Sequence, residues 1–97
     1  MQKRKNQMAH ARKRAIERFN IPLSQKSCNV IANKIRSQDP TCIRLKVVSF
    51  AASVWRIEWE GQELIVVYDR TTNALVTVLT EDMWKNQRMN SIILSRG

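Results

Sequence analysis

The hydrophobic period of this chain changes once, at Pro40, and that change limits what it can fold into. Before Pro40, apolar residues recur every three to four positions, the spacing of a half-buried helix. After it they alternate, the spacing of a strand with one buried face. Asn6 is placed to cap a first helix running to about Phe19, with Met8, Ala15, Ile16 and Phe19 on one side. Asn20 suits its C-terminal cap, and Pro22 prevents continuation. Arg12 falls on that apolar side, where it must snorkel or pair with something buried. Ser24 starts a second helix, with Leu23 and Cys28 placed as a hydrophobic staple. Cys28, Ile31, Ala32 and Ile35 form its stripe, and Asp39-Pro40 ends it.

Beyond Pro40, Ile43, Leu45 and Val47 alternate with Arg44 and Lys46, and Trp55, Ile57 and Trp59 alternate with Arg56 and Glu58. Glu60-Gly61-Gln62-Glu63 fits a two-residue hairpin with Gly first in a II′ turn. That turn pairs Trp59 with Leu64, Ile57 with Val66 and Trp55 with Tyr68, all six on the face turned to the helices. Strand 64–68 is apolar on both faces, as a central strand is. A turn from Asp69 to Asn73 leads to strand 75–79, and pairing Tyr68 with Leu75 puts Thr77 on the same face as Tyr68. A slip of one residue there turns Thr77 away. Glu81 to Met89 suits a short helix, and Ile92-Ile93-Leu94 an edge strand or a loose end. The expected fold is α+β: two N-terminal helices packed on a four-stranded antiparallel β-meander, with a short C-terminal helix or tail. One domain is expected over 1–97: a basic arm at 1–7, a core at 8–80 and a C-terminal extension at 81–97.

Charge bounds the function. The 97 residues carry 17 Lys and Arg against 8 Asp and Glu, a net charge of +9, and are 43% hydrophobic. Such a chain folds, and its simplest partner is a polyanion, most often nucleic acid. Seven of the cations (Lys3, Arg4, Lys5, Arg12, Lys13, Arg14, Arg18) face one acid, Glu17, within residues 1–20, so six of the nine net charges sit in a fifth of the chain. Lys3, Arg4, Lys5 and Lys13 read as nucleic-acid-binding charge. The longest apolar runs are four or five residues, far short of the roughly 20 a membrane span needs. No apolar stretch follows the basic segment, so a signal peptide is not expected. Two glycines leave no Gly-rich phosphate loop. Cys28 and Cys42 read as free thiols in a reducing cytoplasm.

Neither metal nor cofactor is expected, since one His and two well-separated Cys have no zinc spacing. His10, Arg14 and Arg18 fall in one slightly drifting row at four-residue steps, well round from the apolar stripe. The plain reading is a solvated face with a surface histidine. The chemical reading is an anion site beside the side chain best suited to move protons near neutral pH. RNA can be cut without metal when its 2′-OH attacks the adjacent phosphate, given a base, an acid and a cation. His10 serves as base or acid, and Arg14 and Arg18 grip the phosphate with forked hydrogen bonds. Tyr68 and Thr77 orient it or pass a proton. The plain readings are a core aromatic for Tyr68 and an ordinary strand residue for Thr77. Trp55 and Trp59 read as core rather than as stacking platforms, and Trp84 as a cap on the sheet.

Two segments, His10-Ala11-x-x-Arg14-Ala15-x-x-Arg18-Phe19 and Val67-Tyr68-Asp69-x-x-Thr72-x-x-Leu75-Val76-Thr77-Val78-Leu79, together resemble small toxin and phage proteins of the barnase, EndoU, colicin and RelE-like superfamily. The resemblance implies a metal-independent endoribonuclease with N-terminal helices on a four-stranded antiparallel sheet. It implies His10, Arg14, Arg18, Tyr68 and Thr77 as catalytic residues, and RNA, in some members on the ribosome, as the target. With one histidine, a two-histidine mechanism is excluded. A standalone ribonuclease harms its own cell, so an acidic immunity or antitoxin protein, or tight expression control, is expected. The alternative is a non-catalytic nucleic-acid-binding or phage regulatory or inhibitor protein using the basic N-terminal helix.

Overall fold

The computed structural model describes residues 2–85. Two helices, α1 (Gln2–Phe19) and α2 (Gln25–Arg36), precede four strands, β1 (Ile43–Val47), β2 (Ala52–Trp59), β3 (Gln62–Asp69) and β4 (Ala74–Leu79), and a short helix α3 (Glu81–Lys85). The strands form one antiparallel sheet in the order β1-β2-β3-β4. The fold is therefore the expected α+β meander with two N-terminal helices and a short C-terminal one. The segment Ile92-Ile93-Leu94 lies outside the described residues.

Helix α1 starts at Gln2, so Lys3, Arg4 and Lys5 are its first turn rather than an arm ahead of an Asn6 cap. It ends at Phe19, and Asn20, with a left-handed φ of 55°, redirects the chain. Met8, Ala11 and Ala15 are its fully buried face, while Ile16 is 52% exposed. The stripe is rotated away from Ile16 because the two alanines let the helix lie close to the sheet. Arg12 is exposed and its Nε donates to the Leu23 carbonyl at 3.2 Å. Helix α2 follows its sequence closely. The Ser24 Oγ accepts the Ser27 N–H at 3.0 Å as an N-cap. Cys28, Ile31, Ala32 and Ile35 are all buried.

The β2–β3 turn centres on Glu60 (φ 50°) and Gly61 (φ 81°), both left-handed. Two positive φ angles make it a I′ turn, not the II′ turn expected with Gly61 first. Trp59 consequently pairs with Gln62, Ile57 with Leu64 and Trp55 with Val66, two residues from the expected register. A slip of two preserves every face. Ile57, Leu64, Val66 and Tyr68 are accordingly buried under the helices, with Trp55 and Trp59 packed against them. Gly61→Ala meets no steric obstacle, so only its backbone angle is strained. A loss of about 1 kcal/mol in urea unfolding at unchanged m is expected.

The other two strand connections depart from simple alternation. Tyr68 pairs with Leu75 as expected, but an irregularity follows, and Thr77 pairs with Val67. One extra residue reverses the parity, so Thr77 lies on the face away from the helices and away from Tyr68. A second irregularity between Arg44 and Lys46 breaks the alternation of β1. Ile43 and Val47 are each 56% exposed, and Leu45 packs on the far face of the sheet. That far face has its own small core of Val54, Ile65, Val67 and Leu79, on which Met83 and Trp84 of α3 pack.

Candidate nucleic-acid interface

Helix α1 lies along the edge strand β4, and its outer flank carries His10, Lys13, Arg14 and Arg18. His10 and Lys13 are exposed, while Arg14 and Arg18 are half-buried. Arg18 reaches the sheet, where its Nη1 donates to the Val78 carbonyl at 2.6 Å. Arg14 pairs through Nη1 with Glu17 at 2.5 Å, and its Nε is buried with no hydrogen-bond partner. Partial burial, and then the nearby Arg14, Arg18 and Lys13, hold the His10 imidazole below its ordinary value against a smaller opposing pull from Glu17. At neutral pH the ring is mostly uncharged, an acceptor rather than a cation.

The first turn of α1 is structural for the most part. Arg4 donates from Nε to the Thr72 carbonyl at 3.0 Å, and from Nη2 to Asn29 Oδ1 at 2.7 Å and the Asn73 carbonyl at 3.2 Å. It clamps α1 and α2 onto the β3–β4 turn. Lys3 approaches Asp69 at 3.7 Å. Lys5 is exposed and makes no hydrogen bond or ion pair among the described residues. Asp69, 4% exposed, organises that turn. Its Oδ1 accepts the Thr71 N–H at 2.8 Å and hydroxyl at 2.6 Å, and its Oδ2 accepts from Gln7 at 2.9 Å. The Thr72 hydroxyl donates to Gln7 Oε1 at 2.7 Å. Asp69 and Thr72 thus fix the turn to α1.

Tyr68 belongs to a different neighbourhood from His10. Its hydroxyl donates to Asn73 Oδ1 at 2.7 Å, and Asn73 Nδ2 donates to Asn33 Oδ1 at 3.0 Å. Burial raises the phenol above its ordinary value, Asp69 adds to this and Arg36 opposes it. The ring stays protonated at neutral pH. The charges acting on His10 all lie on α1, whereas those acting on Tyr68 are Arg36 and Asp69. The five expected catalytic residues therefore do not converge: His10, Arg14 and Arg18 share the α1 flank, Tyr68 sits at the end of β3, and Thr77 is on the opposite sheet face.

Around Tyr68 stand cations that sequence reasoning did not single out. Arg36, Arg44 and Arg70 line one hollow with Tyr68 and Trp55. Arg44 sits in sequence as an ordinary polar member of the β1 alternation, and only the sheet register puts it opposite Trp55. Cys28 and Cys42 are unpaired, and burial raises both thiols, so they are neutral at pH 7. Among the described residues, no three His, Cys, Asp or Glu side chains are grouped to hold a metal ion. No helix there is long and apolar enough to cross a membrane. Comparisons with protein-family models, curated proteins and solved structures find no match to this chain.

Proposed function

We propose that this protein binds RNA through its basic surface. The observation that carries this reading is how few of the cations meet an acid. Among the described residues the ion pairs are Lys3–Asp69, Arg14–Glu17 and Arg56 with Glu63 and Glu81. Lys5 and Lys13 on α1, and Arg36, Arg44 and Arg70 at the far end of the sheet, pair with no acid there and are exposed. Cations of this kind displace counterions from a phosphate backbone, which makes affinity fall steeply with salt. Titrating labelled RNA at several salt concentrations tests it. Lys5→Gln/Lys13→Gln is expected to bind more weakly and with a flatter salt dependence than the wild type. Salt-independent binding, or none, contradicts the reading.

A second reading, metal-independent endoribonuclease of toxin or phage type, is favoured by one observation: His10 is exposed, mostly neutral and next to Arg14. On this reading His10 takes the 2′-OH proton, Arg14 meets the phosphate, and an acidic immunity or antitoxin protein or tight expression control protects the cell. Tyr68 and Thr77 supply nothing there, and Glu17, held ionised by its hydrogen bond from Arg14, has no proton to give, so the leaving 5′-oxygen takes its proton from solvent water. Cleavage in EDTA that is lost in His10→Ala is the expected result. Burial and the neighbouring cations hold His10 below its ordinary value, so a base role predicts a rate that rises from acid pH with its half-maximum below about pH 6.5. Intact RNA after long incubation, with ribosomes present as well as absent, contradicts cleavage and leaves binding alone.

A further inference from the structure

The corner of the molecule where α2 ends, β1 begins and β3 turns into β4 holds two adjoining hollows. One, of about 570 Å³, is lined by Arg36, Arg44, Trp55, Tyr68 and Arg70 with the Thr71–Asn73 turn. The other, of about 370 Å³, lies between Arg44 and Arg70 and the Ser49–Ser53 stretch, and includes Phe50. Arg44 and Arg70 belong to both, so the two hollows form one groove with a pair of guanidinium groups at its middle. No acidic side chain lines either. Two carboxylates adjoin lining residues in sequence: Asp69 spends both oxygens on Thr71, Gln7 and Lys3, and Asp39, next to Gln38, accepts from the Thr41 N–H and hydroxyl through Oδ1.

Phe50 gives the groove a second character. Phe50 as a residue is 80% exposed, an unusual position for a large apolar side chain. It is nevertheless held in place: the Arg70 guanidinium stacks 4.0 Å from the ring centroid, and Arg70 Nε donates to the Phe50 carbonyl at 2.8 Å. Arg70 covers one side of the ring, and the exposure leaves area for another flat group. Cations that track a backbone beside an exposed, fixed aromatic ring are the elements of single-strand recognition. A duplex keeps its bases stacked inside and offers Phe50 nothing to stack on.

We infer that this groove binds consecutive phosphates of a single-stranded nucleic acid, with Arg36, Arg44 and Arg70 on the backbone and one base stacked on Phe50. The inference rests on the RNA-binding reading but assigns a surface separate from the α1 flank. Tyr68 is then part of the groove wall, its hydroxyl accepting from the strand while donating to Asn73. Arg36 and Arg44 make no hydrogen bond or ion pair through their side chains among the described residues, so replacing them leaves the fold unstrained.

The test is fluorescence anisotropy with a labelled ten-nucleotide strand, about ten nucleotides being a common single-fold site size, across a salt series. Arg36→Gln/Arg44→Gln is expected to flatten the log–log salt slope by about 1.4, from about 0.7 for each phosphate that is no longer neutralised. Phe50→Ala is expected to weaken binding about tenfold at unchanged slope. Thermal melts matching the wild type show that folding is intact. If the Arg36/Arg44 variant keeps wild-type affinity and slope while Lys5→Gln/Lys13→Gln loses binding, the groove assignment is overturned and RNA binding stands. If the wild type binds no strand even at about 50 mM salt, both fall together. A duplex of equal length that competes as well as the single strand removes the role of Phe50 and overturns the single-strand assignment.

Discussion

Asp69→Ala is expected to destabilise the fold by about 3 kcal/mol, read as a lower urea midpoint. The carboxylate is 4% exposed and accepts hydrogen bonds from the Thr71 backbone and hydroxyl and from Gln7. Its removal strands those donors at the point where α1 meets the β3–β4 turn, and the methyl group replaces none of them. The same carboxylate makes stability depend on pH. Burial pushes its pKa up, but the hydrogen bonds from Thr71, Gln7 and Thr72 together outweigh that and hold it below 3.8. A lowered folded value means a contribution fully present above the unfolded value of about 3.9 and lost as pH falls through the folded one. The wild type should therefore lose stability on acidification below about pH 4 more steeply than Asp69→Ala. Parallel pH profiles contradict that assignment.

Leu75→Ala is expected to cost 2–5 kcal/mol, roughly the range for deleting a fully enclosed leucine. Leu75 has no exposed surface and lies in the core cluster shared by α1, α2 and the sheet. It sits opposite Tyr68 in the ladder, so the cavity opens beneath the groove. For a domain of this size that loss is a large share of total stability. Ile43→Ala, on the exposed edge strand, should stay within about 0.5 kcal/mol. Equal costs for the two would mean that the helices do not pack on the sheet as described.

These contrasts show where the sequence is informative. The period change at Pro40 carried the architecture, because burial on one face imposes its repeat on helix and strand alike. The buried stripe of α2 was legible down to each residue, since four apolar side chains at helical spacing admit one orientation. The stripe of α1 was not, because Ala11 and Ala15 contribute closeness rather than hydrophobicity and the pattern gave weight to Ile16. Faces in the β2–β3 hairpin survived a wrong turn type because the slip was even. The face of Thr77 did not survive, because an irregularity inserts a single residue and no local pattern announces it.

The site divides in the same way. The α1 row was visible because helical spacing is local. Arg4 looked like free charge, yet its hydrogen bonds run to Thr72, Asn73 and Asn29, partners far away in the chain. The groove was invisible for the same reason: Arg36, Arg44, Phe50 and Arg70 come from four separate segments and meet only after the sheet has formed.

Both functional readings require a strand of RNA to lie against the unpaired cations. The most direct measurement is a residue-by-residue map of amide shifts in nuclear magnetic resonance as single-stranded RNA is added. Shifts are expected at Arg36, Arg44, Ser49–Ser53 and Arg70 and along the α1 flank around His10 and Lys13, fading as salt is raised. Shifts confined to the far face of the sheet around Val54, Thr77 and Trp84, or none at all, would contradict RNA binding at these cations.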